Sequence, residues 1–349
     1  MFRVNLLGKV GYFRSEGEVL DFAVNQFEKV PFDTILKDSN SNIERVKSDF
    51  LHLRAFNSQK LVGRRKMIYK NGLGIMSANF FMGFRLRLRA LGKKSVEENL
   101  REEKAQKRIV HKIITLGGKR DIRLSDFLTM AYLTSGGQRL GQFMPVVAKA
   151  VYETFCPEQN ANILDISAGF GGRLVGAMSS KYQYSYTGVD PSTEAIKGLK
   201  QLIGFLGVDK RARVVGLPFE DSDKELKDNS FDLCFTSPPY FKKEIYSDEK
   251  TQSCHRYEDI EGWRKGFLEK SFAIVHKKLK EGKYMLINIA DVKIKGKVYP
   301  LESLTIDTGK KVGFNYKGYK VMEMSKIPGL KRKYKSEKIF IFQKAIAEK

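Results

Sequence analysis

The chain has 349 residues, a formal net charge of +23 and an isoelectric point near 9.7, with 42% apolar residues. Such a chain is long enough for one large or two ordinary domains with a real core, and its positive excess points to a polyanionic partner. Cys156, Cys234 and Cys254 show neither paired nor metal-ligand spacing, and no apolar run reaches the length of a signal peptide or a membrane span, so we expect a cytoplasmic protein without a disulfide framework, zinc site or membrane contact.

From Glu18 the apolar positions Val19, Ala23, Phe27 and Val30 recur at helical spacing, as do Ile43, Val46, Phe50 and Leu53, which predicts two amphipathic helices. Between Arg54 and Lys94 stand eleven basic residues and no acidic one. Its densest clusters, Arg64, Arg65 and Lys66, then Arg85, Arg87 and Arg89, are candidate nucleic-acid phosphate contacts, and the interleaved Tyr69, Phe80, Phe81 and Phe84 serve either as stacking faces or as core. The alternation Arg85-Leu86-Arg87-Leu88-Arg89 fits a half-buried strand or a short helix. Residues 97 to 112 read as one solvated helix, with Glu97 and Arg101, and Glu103 and Lys107, at favourable spacing. Glycine pairs at 117–118 and 136–137 bracket the apolar segment Leu124 to Leu133. We place the domain boundary at the second pair: 1–134 is a basic, mainly helical region suited to nucleic acid, and 135–349 is a second domain.

In that domain Asn162 to Ser167 reads as a strand, and Ala168-Gly169-Phe170-Gly171-Gly172-Arg173 as the turn into a helix. Glycines there let the backbone approach a ligand closely. The dinucleotide pattern fails, because Leu174 occupies its third small position. The next strand, Tyr184 to Val189, ends in Asp190, an acidic residue suited to ribose hydroxyls. A helix face over Ala195 to Leu206 follows, and a strand from Arg213 to Leu217 leads to Phe219-Glu220-Asp221, where a carboxylate can accept from an adenine amine.

Phe231 to Phe235 is a further strand, stopped by Thr236-Ser237-Pro238-Pro239-Tyr240, since two prolines cannot continue a ladder. Ser237, the Pro238 carbonyl and the Tyr240 ring, on an elbow stiffened by Pro239, suit a flat heterocycle with an exocyclic amine. Phe241 to Ser253 reads as a loop that closes over such a base, or as ordinary surface. Leu268 to Leu279 is helical, ended by a turn at Glu281-Gly282. Tyr284 to Asp291, Tyr319 to Met324 and Lys338 to Phe342 supply three more strands. Strands alternating with helices predict an α/β fold with a doubly wound sheet.

On these residues the segment from Gln138 to Lys344 resembles the S-adenosylmethionine-dependent DNA amino-methyltransferases of bacteria and phages, in particular those with the Ser-Pro-Pro-Tyr signature. The resemblance implies a Rossmann-like class I methyltransferase sheet, S-adenosylmethionine as cofactor, and duplex DNA as partner with its target base flipped. By the same resemblance Phe143 and Pro145 meet the methionine part of the cofactor, Asp165, Ser167, Gly169 and Gly171 form its loop, Asp190 binds the ribose, and Glu220 or Asp221 binds the adenine. Ser237 and Pro238 hold the target amine, with Ser237 bordering the cofactor as well, and Tyr240 stacks on the base. The loop here reads Asp-Ile-Ser-Ala-Gly-Phe-Gly-Gly, where many members carry proline and an aromatic after the first acid. Serine at the head of the elbow favours cytosine N4 over adenine N6. Two other readings stay open: methylation of base amines in RNA, and a catalytically silent nucleic-acid-binding protein on the same fold.

Overall fold

The computed structural model describes residues 1–32, 34–35, 43–63, 66–89, 94–118, 120–134, 141–243, 245–326 and 334–346. Arg64, Arg65 and the glycine pair at 136–137 lie outside these. Two compact units emerge: Met1–Ile43 with Gly83–Gly141, and Glu44–Met82 with Gln142–Lys349. A single cut at 134/135 does not describe this division, because residues 44–82 pack with the sheet.

The first unit contains more than helices. Phe2–Leu6 and Lys9–Phe13 pair antiparallel, and Asp121–Arg123 adds in parallel to the first of them. The hairpin is closed by Leu7 and Gly8, both at positive φ, 54° and 77°, the twist that a two-residue connection requires. Helices Glu16–Lys29, Glu103–Gly117 and Leu124–Thr134 supply further walls, and the core includes Val4, Leu6, Phe27, Ile109 and Phe127. The helix expected over 97–112 is broken at Glu102, whose backbone is extended (φ −91°, ψ 117°), into Val96–Arg101 and Glu103–Gly117. Arg101 explains the break in part: its guanidinium donates to the carbonyls of Phe27 and Val30 and so closes the carboxyl end of helix Glu16–Lys29. Residues Gly83–Arg87 form a short 3-10 turn, which settles the alternating arginine segment.

The second unit is built on eight strands: β1 (Met67–Ile68), β2 (Asn162–Asp165), β3 (Ser185–Val189), β4 (Ala212–Val215), β5 (Phe231–Thr236), β6 (Leu279–Ile289), β7 (Phe314–Lys326) and β8 (Tyr334–Lys344). Their order across the sheet is β1-β7-β8-β6-β5-β2-β3-β4. β4, β3, β2, β5 and β6 are mutually parallel, whereas β8 runs antiparallel to both β6 and β7. This is the Rossmann-like, doubly wound α/β sheet expected from the sequence. The chain winds from β2 outward to β4 on one side, then restarts at β5 on the other, so the topological switch point lies between β2 and β5, where open α/β sheets bind ligands. β6 begins at Leu279 and runs through the Glu281-Gly282 turn expected to precede it, with a register shift between Phe231 and Leu233 on its partner.

Residues 44–82 belong to this unit for identifiable reasons. β1 pairs with β7 at its edge. Lys149, 2% exposed on helix Pro145–Phe155, donates from Nζ to the carbonyls of Leu53, Arg54 and Phe56 at 2.8, 2.9 and 2.8 Å. A buried cation thus caps the end of helix Ile43–Ala55, where the helix dipole is negative. Asp49 accepts from the backbone N–H groups of Gly74 and Ser77 at 2.9 and 3.0 Å. No helix among the described residues is long and apolar enough to cross a membrane.

Candidate active site

Asp165 ends β2, and its carboxylate has no exposed surface. Oδ2 accepts from Arg173 Nε at 2.8 Å and from the Tyr186 hydroxyl at 2.7 Å, while Oδ1 accepts from the Thr236 hydroxyl at 2.9 Å and the Ser167 amide at 3.3 Å. Expected at the cofactor, this side chain instead sits beneath the loop as its anchor. Arg173 in turn donates to the Ser167 carbonyl. Burial alone would disfavour its charge, but Asp165 beside it more than offsets this and raises the guanidinium pKa. The Thr236 bond matters most for the arrangement. It ties the start of the glycine turn to the last residue of β5, one position before Ser237.

The glycines of the turn do different work. Gly169 stands at φ +55°, and a Cβ built on it would find only the Ser167 carbonyl, 3.7 Å away, so its backbone faces open space. A Cβ at Gly171, φ +82°, would press on Leu202 at 3.0 Å, and one at Gly172 would lie 2.0 Å from the Phe143 carbonyl oxygen. Gly169 therefore leaves room for a ligand, whereas Gly171 and Gly172 permit close packing of the chain on itself. Phe143 is brought against this turn: Gln142 donates to the Phe170 carbonyl at 2.7 Å, and the Phe143 ring meets Phe235 edge-on at 5.4 Å. Pro145 opens the following helix and is buried.

Asp190 follows β3 and is 8% exposed. Its two oxygens accept from the amides of Gly169 and Ser192 at 2.8 and 3.0 Å. Burial pushes its pKa up to about 6, against these two hydrogen bonds. A carboxylate in direct contact with the open glycine, with a lone pair left on each oxygen, fits the ribose of an adenosine-bearing cofactor. Glu220 is less available than its sequence position suggests: Oε1 accepts from the Tyr257 hydroxyl and Arg256 Nη1, both at 2.9 Å, and burial raises its pKa. Asp221 is bound to Arg256 at 2.8 Å.

The elbow leaves β5 as read from the sequence. Pro238 is buried, while Ser237, Pro239 and Tyr240 are half-buried. The Tyr240 hydroxyl donates to Glu337 Oε2 at 3.1 Å and approaches the Asn288 carbonyl at 3.4 Å, so β8 and β6 hold the ring from its far end. Lys243 Nζ lies over the ring, 5.0 Å from its centroid, which leaves at most one face open. Beyond the elbow the segment expected to close over a base is tied down at several points: Tyr246 meets Phe170 edge-on at 5.8 Å, and Glu249 accepts from the Thr193 amide at 3.1 Å.

Of the basic residues proposed for nucleic acid, Lys66 belongs to the sheet unit, with Nζ 4.9 Å from the Tyr319 ring centroid. Arg85, Arg87 and Arg89 belong to the other unit. Arg87 pairs with Glu97 at 3.3 Å and Arg89 with Glu98 through two nitrogens, so part of their charge is already neutralised. Sequence reading missed Glu337, Arg256 and Tyr257, each reached only through tertiary contact, with no local motif to mark it.

A family model described as DNA methylase matches residues 231–348, from the start of β5 to just past β8. No curated protein matches the chain. Solved structures similar to it include a TehB-like SAM-dependent methyltransferase from Corynebacterium glutamicum, 18% identical over 59% of this chain and 90% of that one, with a TM-score of 0.37. A putative sarcosine dimethylglycine methyltransferase from Galdieria sulphuraria is 14% identical, over 57% and 83%, with a TM-score of 0.40. A SAM-dependent O-methyltransferase from Thermotoga maritima is 11% identical, over 60% and 69%, with the same score of 0.40.

Proposed function

We propose that this protein is a methyltransferase that uses S-adenosylmethionine to methylate an exocyclic base amine of duplex DNA, cytosine N4 ahead of adenine N6, after flipping the base out of the stack. The observation that carries the reading is the hydrogen bond from Thr236 to Asp165. Through it the glycine turn, suited to a cofactor, and the Ser-Pro-Pro-Tyr elbow, suited to a heterocyclic amine, stand side by side at the switch point of the sheet. The match of residues 231–348 to the DNA methylase family supports the choice of substrate.

S-adenosylmethionine, when bound, supplies an electrophilic methyl group. Gly169, Asp190 and Phe143 are the residues that would hold it, with Asp165 and Arg173 fixing the loop from below. The amine nitrogen of a base is a poor nucleophile, because its lone pair is delocalised into the ring. Ser237 Oγ and the Pro238 carbonyl accept its two hydrogens and draw the nitrogen toward tetrahedral geometry, so positioning and electrostatics do most of the work. The Tyr240 ring stacks on the base, and its bond to Glu337 keeps the ring from turning. Leaving the duplex costs the base a few kcal/mol, offset by contacts of the basic surface with phosphates.

The test is to incubate the protein with methyl-labelled S-adenosylmethionine and either duplex DNA or RNA, digest to nucleosides and identify the labelled base. Label in N4-methylcytosine or N6-methyladenine from DNA is the expected result, with N4-methylcytosine dominant. Label confined to RNA overturns the DNA assignment. Absence of label from both overturns the enzymatic reading.

A further inference from the structure

Immediately after β6 the chain forms a small antiparallel hairpin, Val292–Ile294 with Lys297–Tyr299, turned at Lys295 and Gly296 with φ of 47° and 86°. Its position is set by the elbow. β6 ends beside β5, the Tyr240 hydroxyl reaches the Asn288 carbonyl, and the ring of Phe241, next to the elbow, packs on Tyr299 with centroids 5.1 Å apart. Val292 is buried in the same apolar cluster as Phe241, so the hairpin is anchored at its base.

Lys293, Lys295 and Lys297 project from it and are exposed. Among the described residues no carboxylate pairs with any of them, and Lys297 Nζ lies over the Tyr299 ring, 5.3 Å from its centroid. Asp291, the nearest acid along the chain, is engaged in accepting from the Glu302 amide at 2.9 Å. Three exposed lysines at the end of a two-stranded arm, with no acid paired to them among the described residues, place positive charge beside where a base would enter and so suit phosphates. They stand in contrast to Arg87 and Arg89, whose charge is already met by glutamates.

We infer that this lysine hairpin grips the phosphates of duplex DNA that flank the base entering the elbow. The inference rests on the proposed reading of the elbow, but it has a test of its own. The variant Lys293→Gln/Lys295→Gln/Lys297→Gln is compared with the wild type and with a control of equal charge change, Lys197→Gln/Lys200→Gln/Lys210→Gln, all exposed positions on or just after helix Thr193–Leu206 and outside the basic region 1–134. Binding to a fluorescent DNA duplex is followed by anisotropy across a salt series. Each lost phosphate contact lowers the log-log slope by about 0.9, so the hairpin variant should lose about 2 to 3 in slope and the control much less. Its KM for DNA should rise about tenfold, with kcat and the affinity for S-adenosylhomocysteine unchanged, which also shows that it folds.

An unchanged slope and KM in the hairpin variant, or an equal loss in the control, overturns the inference. So does a wild type whose binding and methylation are confined to RNA. If the wild type binds duplex DNA but methylates neither nucleic acid, the proposed function fails, while a hairpin-specific loss of slope still sustains the grip.

Discussion

Replacing Arg173 by Met tests whether Asp165 is the anchor of the cofactor turn. Among the described residues the guanidinium is the only cation paired with the Asp165 carboxylate, which has no exposed surface. Without it Asp165 keeps two hydroxyl donors and one amide but no positive charge. Removing one partner of a buried ion pair costs about 3–5 kcal/mol, a fall of two to more than three orders of magnitude in the folding equilibrium. Thr236→Val, nearly equal in volume, removes one hydrogen bond to the same carboxylate and should cost about 1.5–3 kcal/mol. Trp263 is the single tryptophan and is fully buried in the core of the sheet unit, so its emission during urea unfolding reports on that unit. Both variants should also weaken binding of S-adenosylhomocysteine, because the loop above them loosens. The double variant should differ from the sum of the singles, since both act through one carboxylate. A cost below about 1 kcal/mol for Arg173→Met, or a larger one for Thr236→Val, would refute the anchor.

Tyr240→Ala should lower kcat/KM for DNA by about two orders of magnitude, the upper range for loss of one base stack, with S-adenosylhomocysteine affinity intact by calorimetry. Tyr240→Phe keeps the ring and loses the hydroxyl's bonds to Glu337 and Asn288, so its loss should stay within about tenfold. Asp190 has a folded pKa of about 6, above its ordinary 3.8. Its contribution to stability is therefore full below about pH 4 and lost as pH rises through 6. The gap corresponds to about 3 kcal/mol at 1.36 kcal/mol per pH unit. Relative to Asp190→Ala, the ligand-free wild type should lose about that much between pH 4 and 7, measured by urea unfolding, while its affinity for the cofactor rises over the same interval. Gly172→Ala places a methyl 2.0 Å from the Phe143 carbonyl oxygen, and the backbone there must shift. Thermal unfolding should show a loss near the upper end of about 1–3 kcal/mol, with weakened cofactor binding.

What the sequence determined by itself was everything that depends on near neighbours. Alternating strands and helices from Asn162 onward dictated a doubly wound sheet, because apolar periodicity is a local property of the element that carries it. The glycine turn and the proline elbow were legible for the same reason: one needs residues without a side chain, the other residues that cannot join a ladder. The short strands Phe2–Leu6 and Asp121–Arg123 were not legible, since so few residues give no period to read. Helix 97–112 looked continuous because nothing in its sequence shows that Arg101 is drawn toward the end of another helix.

Tertiary structure alone decided the division of labour in the site. Asp165, a ligand contact by position, became an anchor once Arg173, Tyr186 and Thr236 closed around it. Glu220 was claimed by Arg256 and Tyr257, and Tyr240 by Glu337, 97 residues away along the chain. Residues 44–82 joined the sheet through Lys149 and β1 rather than the basic region in which they lie by sequence. Each of these outcomes is a pairing between distant residues in a buried setting. There a polar group must find a partner, and only the folded chain determines which one it finds.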